Sequence, residues 1–336
     1  MHLGIVTPAS SGSLAGNRIT SLRWARMLTE LGHEVSLETS WDGQPWDALV
    51  ALHARRSADS IRRFDDARPD APLVVALAGT DLYVDLPDDN AEVLESLRRA
   101  DHILALQSRA KCLLPEDVRA RVVVIPQSSE PLDPPTPKRE DAFQVAVVGH
   151  LRAVKAPLLT AHAARLLPAH SRIEVLHVGG VLDAELGTQA DEESRTNPRY
   201  TWLGPLAHDE TRTLVASSQL LSHTSRSEGG ANVISEALVL GTPVVSTRID
   251  GTVGMLGEAY PGYVGVDDAP ALAALLRRAE EDATFYATLT AACARRRAAF
   301  EPAAERASWA ALIDSWRGGP PSRAAPSPTP GMLDPS

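Results

Sequence analysis

This chain should fold as two doubly wound α/β domains that face each other across a cleft. Three features of its 336 residues point there. Short apolar runs alternate with helical patterns, and the alternation occurs twice. A Pro-rich stretch over residues 126–142 separates the two series. With 44% apolar residues the chain can bury two sizeable cores, and its length suits about two domains. Strands that are apolar throughout and joined by helices belong to parallel sheets covered on both faces.

Residues 3–7 read as a buried strand, and a Ser- and Gly-rich loop over 8–17 leads into a helix over 18–31. In that helix Ile19, Leu22, Ala25, Met27 and Leu28 recur at helical spacing and should face a core, and Gly32 ends it. Strands follow over 34–38 and 48–53, then a helix over 57–67. Apolar strands over 73–77, 102–106 and 122–125 complete a first domain, residues 1–125. Residues 126–142 form a linker. The second series opens with a strand over 143–148, a helix over 157–167 and a strand over 173–178. Strands over 200–203, 220–223 and 243–246 and helices over 269–281 and 283–299 extend this second domain across 143–301. A last helix covers 302–317, and residues 318–336, mostly Gly, Pro, Ser and Ala, read as a disordered tail. Ligands of such sheets bind beyond the carboxyl ends of the strands, so the cleft between the domains is the expected site.

A net charge of −10 weighs against a broad nucleic-acid-binding face. Cys112 and Cys293 are the two cysteines, read as ordinary reduced thiols and too few for a metal cluster. No apolar run approaches the roughly 18 residues of a membrane span, and the chain begins on a strand without a basic leader. A cytoplasmic protein without stable membrane association is expected. His-Glu-x-x-His, Gly-x-Ser-x-Gly, Cys-x-x-Cys and Asp-x-Asp are all missing from the sequence, which weakens zinc, hydrolytic and divalent-metal mechanisms.

The most informative stretch starts at Glu228 and continues as Gly229-Gly230-Ala231-Asn232-Val233 to Glu236, with Gly241-Thr242-Pro243 behind it. Its second half reads as a helix that ends at Gly241 and feeds a buried strand. Its first half reads as an exposed loop whose free N–H groups and helix dipole suit an anion. Two carboxylates in the same stretch would repel a bare phosphate. A ligand carrying both a phosphate and vicinal hydroxyls, such as a nucleotide sugar, resolves the conflict.

Other candidates flank it. Gly149-His150-Leu151-Arg152-Ala153-Val154-Lys155 leaves a buried strand and carries cations that could neutralise a departing diphosphate, against the alternative of a solvated basic turn. The loop holding Gly12, Gly16 and Asn17 follows the first strand; it lacks Gly-x-Gly-x-x-Gly and Gly-Lys-Ser/Thr, so it is either a turn or a backbone approach to phosphate. Arg226 could orient Glu228, reach a phosphate or form a surface ion pair. Asp81, after Thr80, could act as a base, bind a hydroxyl or cap a helix. His53 and His102 lie near strand ends.

Together these residues resemble a known family. Glu228-x7-Glu236 with the following Ala-Leu-x-x-Gly-Thr-Pro-Val-Val, and Gly149-x-Leu151-x-x-x-Lys155, look like the retaining GT-B glycosyltransferases of family 4. The resemblance implies that Glu228 contacts donor hexose hydroxyls, Glu236 the nucleotide ribose, Lys155 the diphosphate, and Gly229 to Val233 the donor through their backbone. It also implies that the last helix, around Trp309, crosses back onto the first domain. Two departures stand out. His150 replaces the family's usual Arg, with Arg152 as a substitute two residues on. Ala78 replaces a His that commonly stands beside the reacting sugar.

A closer likeness is to the selenosugar synthases (SenB) of selenoneine biosynthesis. It rests on Gly16-Asn17-Arg18-Ile19-Thr20, Leu52-His53-Ala54-Arg55-Arg56-Ser57, Ala78-Gly79-Thr80-Asp81-Leu82-Tyr83, and the two donor motifs already quoted. That resemblance implies transfer of the sugar of UDP-glucose or UDP-N-acetylglucosamine to selenophosphate, with Lys155, Glu228 and Arg152 in catalysis and no cofactor or metal. An anionic acceptor needs a basic pocket, for which Arg18, Arg55 and Arg56 are candidates beside His53, Thr80 and Asp81. It also needs a dedicated imidazole less than a hydroxyl does. The alternatives are a family 4 enzyme with an ordinary lipid or glycan hydroxyl acceptor, and a non-catalytic nucleotide-sugar-binding protein.

Overall fold

The computed structural model describes residues 1–8 and 16–316; Gly12 and the tail over 318–336 lie outside the described residues. Two six-stranded sheets, parallel throughout, organise the chain. The first contains β1 (His2–Val6), β2 (Glu34–Glu38), β3 (Ala48–Leu52), β4 (Leu73–Ala76), β5 (His102–Ala105) and β6 (Val122–Val124), in the order β2-β1-β3-β4-β5-β6. The second contains β7 (Phe143–Val148), β8 (Ile173–Val178), β9 (Tyr200–Trp202), β10 (Leu220–His223), β11 (Val244–Thr247) and β12 (Tyr263–Val264), in the order β12-β11-β10-β7-β8-β9. The strands β3, β4 and β5 are buried at every position, as central parallel strands covered on both faces must be.

Helices pack on both faces of each sheet. The first domain carries α1 (Gly16–Glu30), α2 (Ala58–Ala67), α3 (Ala91–Arg99) and the short α4 (Ala110–Leu113). The second carries α5 (Leu159–Arg165), α6 (Ala184–Thr196), α7 (His208–Ser217), α8 (Asn232–Leu240), α9 (Asp250–Leu256), α10 (Ala269–Glu281) and α11 (Ala283–Arg297). The last helix, α12 (Pro302–Ser315), packs Trp309, Leu312 and Ile313 into the core formed by Leu3, Ile5, Trp24 and Leu28 of the first domain. No helix among the described residues is long and apolar enough to cross a membrane.

The α1 helix corrects one expectation. Ile19 and Leu22, expected in the core, are 42% and 50% exposed, whereas Thr20, Ser21 and Trp24 are buried beside Met27 and Leu28. The buried stripe is turned because α12 supplies its partner. Trp24 packs edge-on to Trp309 at 5.1 Å, and its indole N–H donates to Glu305 at 2.8 Å. Glu305, fully buried, also accepts from Arg23 at 3.2 Å and from the Ser128 backbone N–H at 2.7 Å. Periodicity alone assigns Ile and Leu to a core and cannot anticipate a buried carboxylate that draws Arg and Trp inward.

The helices α3, α6, α7 and α9 lie outside the helices expected from sequence, although α3 is amphipathic and buries Val93, Ser96 and Leu97. The α6 and α3 helices are started by side-chain caps, Asp183 accepting from Glu185 and Leu186, and Asn90 accepting from Val93.

Candidate active site

The second sheet reverses its strand order between β7 and β10, which opens a crevice beyond their carboxyl ends. Three segments meet at that end: the basic turn after β7, the residues leaving β10, and the Glu228 loop that enters α8.

The basic turn is held from below. His177 on β8 is fully buried, with Nε2 at 2.9 Å from the Gly149 carbonyl and Nδ1 at 2.8 Å from the Tyr200 hydroxyl. Burial pushes its pKa down to about 4, so the imidazole is neutral at neutral pH. Gly179 lets the turn sit close; a Cβ there would lie 1.9 Å from the Gly149 carbonyl oxygen. The turn closes as a single 3₁₀ turn, Ala153–Lys155, followed by Ala156 in the left-handed region at φ 42°. The Thr224 hydroxyl donates to the Lys155 and Ala156 carbonyls at 3.2 and 3.0 Å, which staples the turn to the segment after β10.

Lys155 forms a close ion pair with Glu228 Oε1. The same oxygen accepts from Ser225 Oγ at 2.6 Å and lies 3.4 Å from His223 Nε2. Burial acts to raise the Glu228 carboxyl, but Lys155 and then His223 outweigh it and hold it well below the usual carboxylate range. Glu228 is therefore an anion at neutral pH. Its Oε2 makes no hydrogen bond among the described residues. Behind it α8 begins without a side-chain cap, and no acceptor meets the N–H groups of Asn232 and Val233 among the described residues. An uncapped helix N-terminus, a Lys and a carboxylate with one free oxygen can together bind a phosphate and a hydroxyl side by side.

The loop is packed, not exposed as its composition suggests. A Cβ on Gly229 would lie 2.8 Å from the Gly79 backbone nitrogen, and one on Gly230 would lie 2.6 Å from Leu106 Cβ. These glycines let the two domains touch. Arg109 completes the contact, pairing with Asp250 at 3.3 Å and Glu258 at 3.1 Å. The Tyr83 hydroxyl is buried here without a partner among the described residues; burial first, then the Asp250 and Glu228 charges, push its pKa above the ordinary tyrosine range.

On the first domain, His53, Thr80 and Asp81 meet at the carboxyl ends of β3 and β4. Asp81 is fully buried and accepts from the backbone N–H groups of Ala54 at 2.9 Å, Arg55 at 3.2 Å and Ala78 at 2.8 Å. It also lies 2.8 Å from His53 Nδ1. It is thus neither a helix cap nor a direct hydroxyl binder, because no oxygen faces the cleft. His53 is 2% exposed, in the left-handed region at φ 73°, and its Nε2 lies 2.9 Å from the Thr80 hydroxyl. Thr80 itself is exposed. Ala78 stands in the same turn, so this sheet edge does hold an imidazole, supplied by β3 in place of position 78.

The remaining candidates divide. Gly16, Asn17 and Arg18 form the first turn of α1, so the expected loop at 16–17 is already helical. His150 is exposed and accepts the Gly180 N–H on Nδ1 at 3.0 Å. Arg152 and Arg56 are exposed, and neither guanidinium has an acidic partner among the described residues. Arg55 is occupied by Asp85 at 3.1 Å. Arg226 takes the ion-pair alternative: it pairs with Asp267 at 2.9 Å and donates to the Ala153 carbonyl, and no bond from it to Glu228 is found among the described residues. Glu236, one turn into α8, holds His208 Nε2 at 3.0 Å, and that hydrogen bond raises the His208 pKa. Sequence reading missed His223, Ser225 and Tyr83. His223 ends the strand beside the reversal of strand order, a signal visible only once that order is known. No group of three or more His, Cys, Asp or Glu side chains among the described residues could hold a metal ion.

Comparison with known proteins bears on this geometry. Residues 128–296, half of the chain, match the family model for glycosyl transferases group 1. A D-inositol 3-phosphate glycosyltransferase of Kribbella flavida is 32% identical over 157 residues, which cover 41% of this chain. The match spans only 36% of that relative's length. Among solved structures, Anabaena HepE in complex with UDP is 17% identical at a TM-score of 0.74, covering 94% of this chain and 99% of that one. HepE in complex with UDP-glucose is likewise 17% identical at a TM-score of 0.71, covering 94% and 100%. The sucrose-phosphate synthase of Thermosynechococcus elongatus is 15% identical at a TM-score of 0.76, covering 94% and 99%. At these identities the structures show a shared fold, the two-domain GT-B architecture.

Proposed function

Because the chain belongs to the glycosyl transferases group 1 family, we propose that it transfers the sugar of a UDP-sugar, UDP-glucose or UDP-N-acetylglucosamine, to selenophosphate with formation of a selenium–carbon bond. The observation that carries the donor half is the Lys155–Glu228 pair at the mouth of the uncapped α8 helix. Lys155 gives one N–H to Glu228 and keeps others for a phosphate oxygen. Arg152 and the Asn232 and Val233 N–H groups share the charge that grows on the leaving diphosphate. The free Oε2 of Glu228 takes a hexose hydroxyl, and Glu236 takes the ribose. HepE, which shares the fold, binds UDP and UDP-glucose, and that supports the donor class.

For the acceptor half, Arg56 offers a guanidinium with no acidic partner among the described residues at the carboxyl end of β3, and Arg18 sits in the first turn of α1. An anion is the acceptor such cations would hold. The reaction runs without a metal, since the fixed cations carry the phosphate charge. Both substrates are small and polar, so the enzyme would work in the cytoplasm without a stable membrane contact. A second reading has a specific basis: the curated relative is a D-inositol 3-phosphate glycosyltransferase, so a hydroxyl on a phosphate-bearing polyol would fit the same cations.

The test incubates purified protein with each UDP-sugar alone, with selenophosphate, and with inositol 3-phosphate, in the presence and absence of EDTA. UDP release that depends on selenophosphate and yields a selenium-linked sugar is expected, with EDTA neutral. Release that ignores selenophosphate overturns the acceptor, and release that requires inositol 3-phosphate establishes the second reading. In Arg56→Ala and Arg18→Ala the acceptor KM should rise about tenfold, the worth of one charge-assisted hydrogen bond.

A further inference from the structure

The first domain carries a hydroxyl–imidazole–carboxylate chain that neither half of the proposed site uses. Thr80 Oγ lies 2.9 Å from His53 Nε2, and His53 Nδ1 lies 2.8 Å from Asp81 Oδ1. The two inner members are sealed, with His53 at 2% and Asp81 at 0% exposure, while Thr80 is exposed. Asp81 accepts three backbone N–H groups besides the imidazole, so its oxygens are locked in place. His53 Nδ1 has the Asp81 carboxylate at 2.8 Å and the Arg56 backbone N–H at 3.5 Å, and the much closer carboxylate selects the tautomer with its hydrogen on Nδ1. That leaves a lone pair on Nε2 pointing at the Thr80 hydroxyl.

Position matters as much as order. Thr80 directly follows Gly79, whose Cβ would lie 3.0 Å from the Gly229 backbone nitrogen and within 3.9 Å of the Glu228 carbonyl carbon. Thr80 therefore follows directly on the point where the first domain meets the donor-side glutamate loop. His53 holds a left-handed backbone at φ 73°, a state that a non-glycine residue keeps only where its surroundings fix it.

We infer that Thr80 is a catalytic residue, the hydroxyl that takes the acceptor's proton during sugar transfer, with His53 receiving it and Asp81 positioning the imidazole. As the attacking atom of the acceptor bonds to the anomeric carbon, the bond from that carbon to the diphosphate oxygen breaks, and the electron pair leaves with the nucleotide. The acceptor's proton passes to Thr80 Oγ while the Thr80 proton passes to His53 Nε2. The resulting imidazolium sits against Asp81. A hydroxyl and hydrogen selenophosphate each have one proton to lose in this step. The inference rests on the proposed transfer reaction, and the relay matters more for a hydroxyl acceptor than for selenophosphate.

The test compares the wild type with Thr80→Ala, Thr80→Ser and His53→Asn. Asn places a donor where Nδ1 was, tolerates positive φ, and lacks any atom at Nε2. Thr80→Ala and His53→Asn should each lower kcat by about 100-fold. Donor KM and UDP affinity by calorimetry should stay within about twofold, because the chain touches no donor group. Thr80→Ser should recover kcat to within about threefold, and the double variant should be no slower than either single one. A solvent deuterium isotope effect on kcat should be present in the wild type and lost in Thr80→Ala. A Thr80→Ala enzyme within threefold of wild type overturns the relay alone, as does a loss shared equally by UDP affinity. A wild type that neither binds UDP nor turns over overturns the proposed function and the relay with it.

Discussion

Replacing Lys155 with methionine tests whether one cation holds the Glu228 charge in place. Methionine keeps most of the stem and removes the ammonium. The two side chains are 23% and 11% exposed, so the pair is largely withdrawn from water. Removing one partner of a buried pair costs about 3–5 kcal/mol, and of an exposed pair about 0–1. Partial exposure of Lys155 and the remaining Ser225 donor at 2.6 Å place the loss between these ranges, at about 2–3 kcal/mol. At roughly 2 °C per kcal/mol, Tm should fall by about 4–6 °C at pH 7 in the ligand-free protein. The acid behaviour adds a second signature. The folded-state pKa of Glu228 is depressed, so its stabilisation is fully present above the ordinary carboxyl pKa of 4.5 and lost as the pH falls below it. In the variant, burial acts without Lys155 against it, and the carboxyl accepts its proton at higher pH. Scanning calorimetry should therefore show the Tm gap narrowing from pH 7 toward pH 4, and Glu228→Gln added to the variant should recover at least half the loss. Equal melting temperatures at pH 7, or a gap unchanged down to pH 4, would refute the assignment.

Other outcomes follow from the same geometry. His177 stays neutral when folded, with its pKa pushed down to about 4 from 6.5. Stability should therefore fall as pH drops from 6.5 toward 4, by up to about 3 kcal/mol, and His177→Gln should flatten that slope in urea titrations. Gly229→Ala puts a Cβ 2.8 Å from the Gly79 nitrogen; the domains should part, kcat should fall at least about tenfold, and the radius of gyration by solution scattering should rise. Glu305→Ala strands Arg23, the Trp24 indole N–H and Ser128, and chemical denaturation should register a loss of about 3 kcal/mol. Glu236→Ala should raise the donor KM by about 10-fold or more with kcat little changed, measured by initial rates at saturating acceptor.

The architecture was legible because it is a local signal repeated. Buried strands such as 48–52 and 73–76 are apolar at every position, and only a parallel sheet covered on both faces buries them so. The Glu228 motif was legible because helix N-termini and carboxylates act through their neighbours in sequence. What stayed hidden depends on distant partners. Leu22 looks like a core residue until α12 claims the other face of α1, and Arg226 looks like part of the site until Asp267, 41 residues away, takes it. His223 carries no sequence signal at all, since its role comes from the strand beside it.

By itself the sequence determined that this chain has two doubly wound α/β sheets, and that a glycine-rich loop with a carboxylate opens one helix of the second. Those follow from periodicity and short-range backbone chemistry, which act over a few residues. Only the tertiary structure decided which charges are spent and which remain. It gave Arg55 to Asp85, left Arg56 and Arg152 without acids among the described residues, and joined Thr80 to His53 across 27 residues. Charge pairing and hydrogen bonding act through space at about 3 Å, and only the folded arrangement of the strands brings those atoms within that distance.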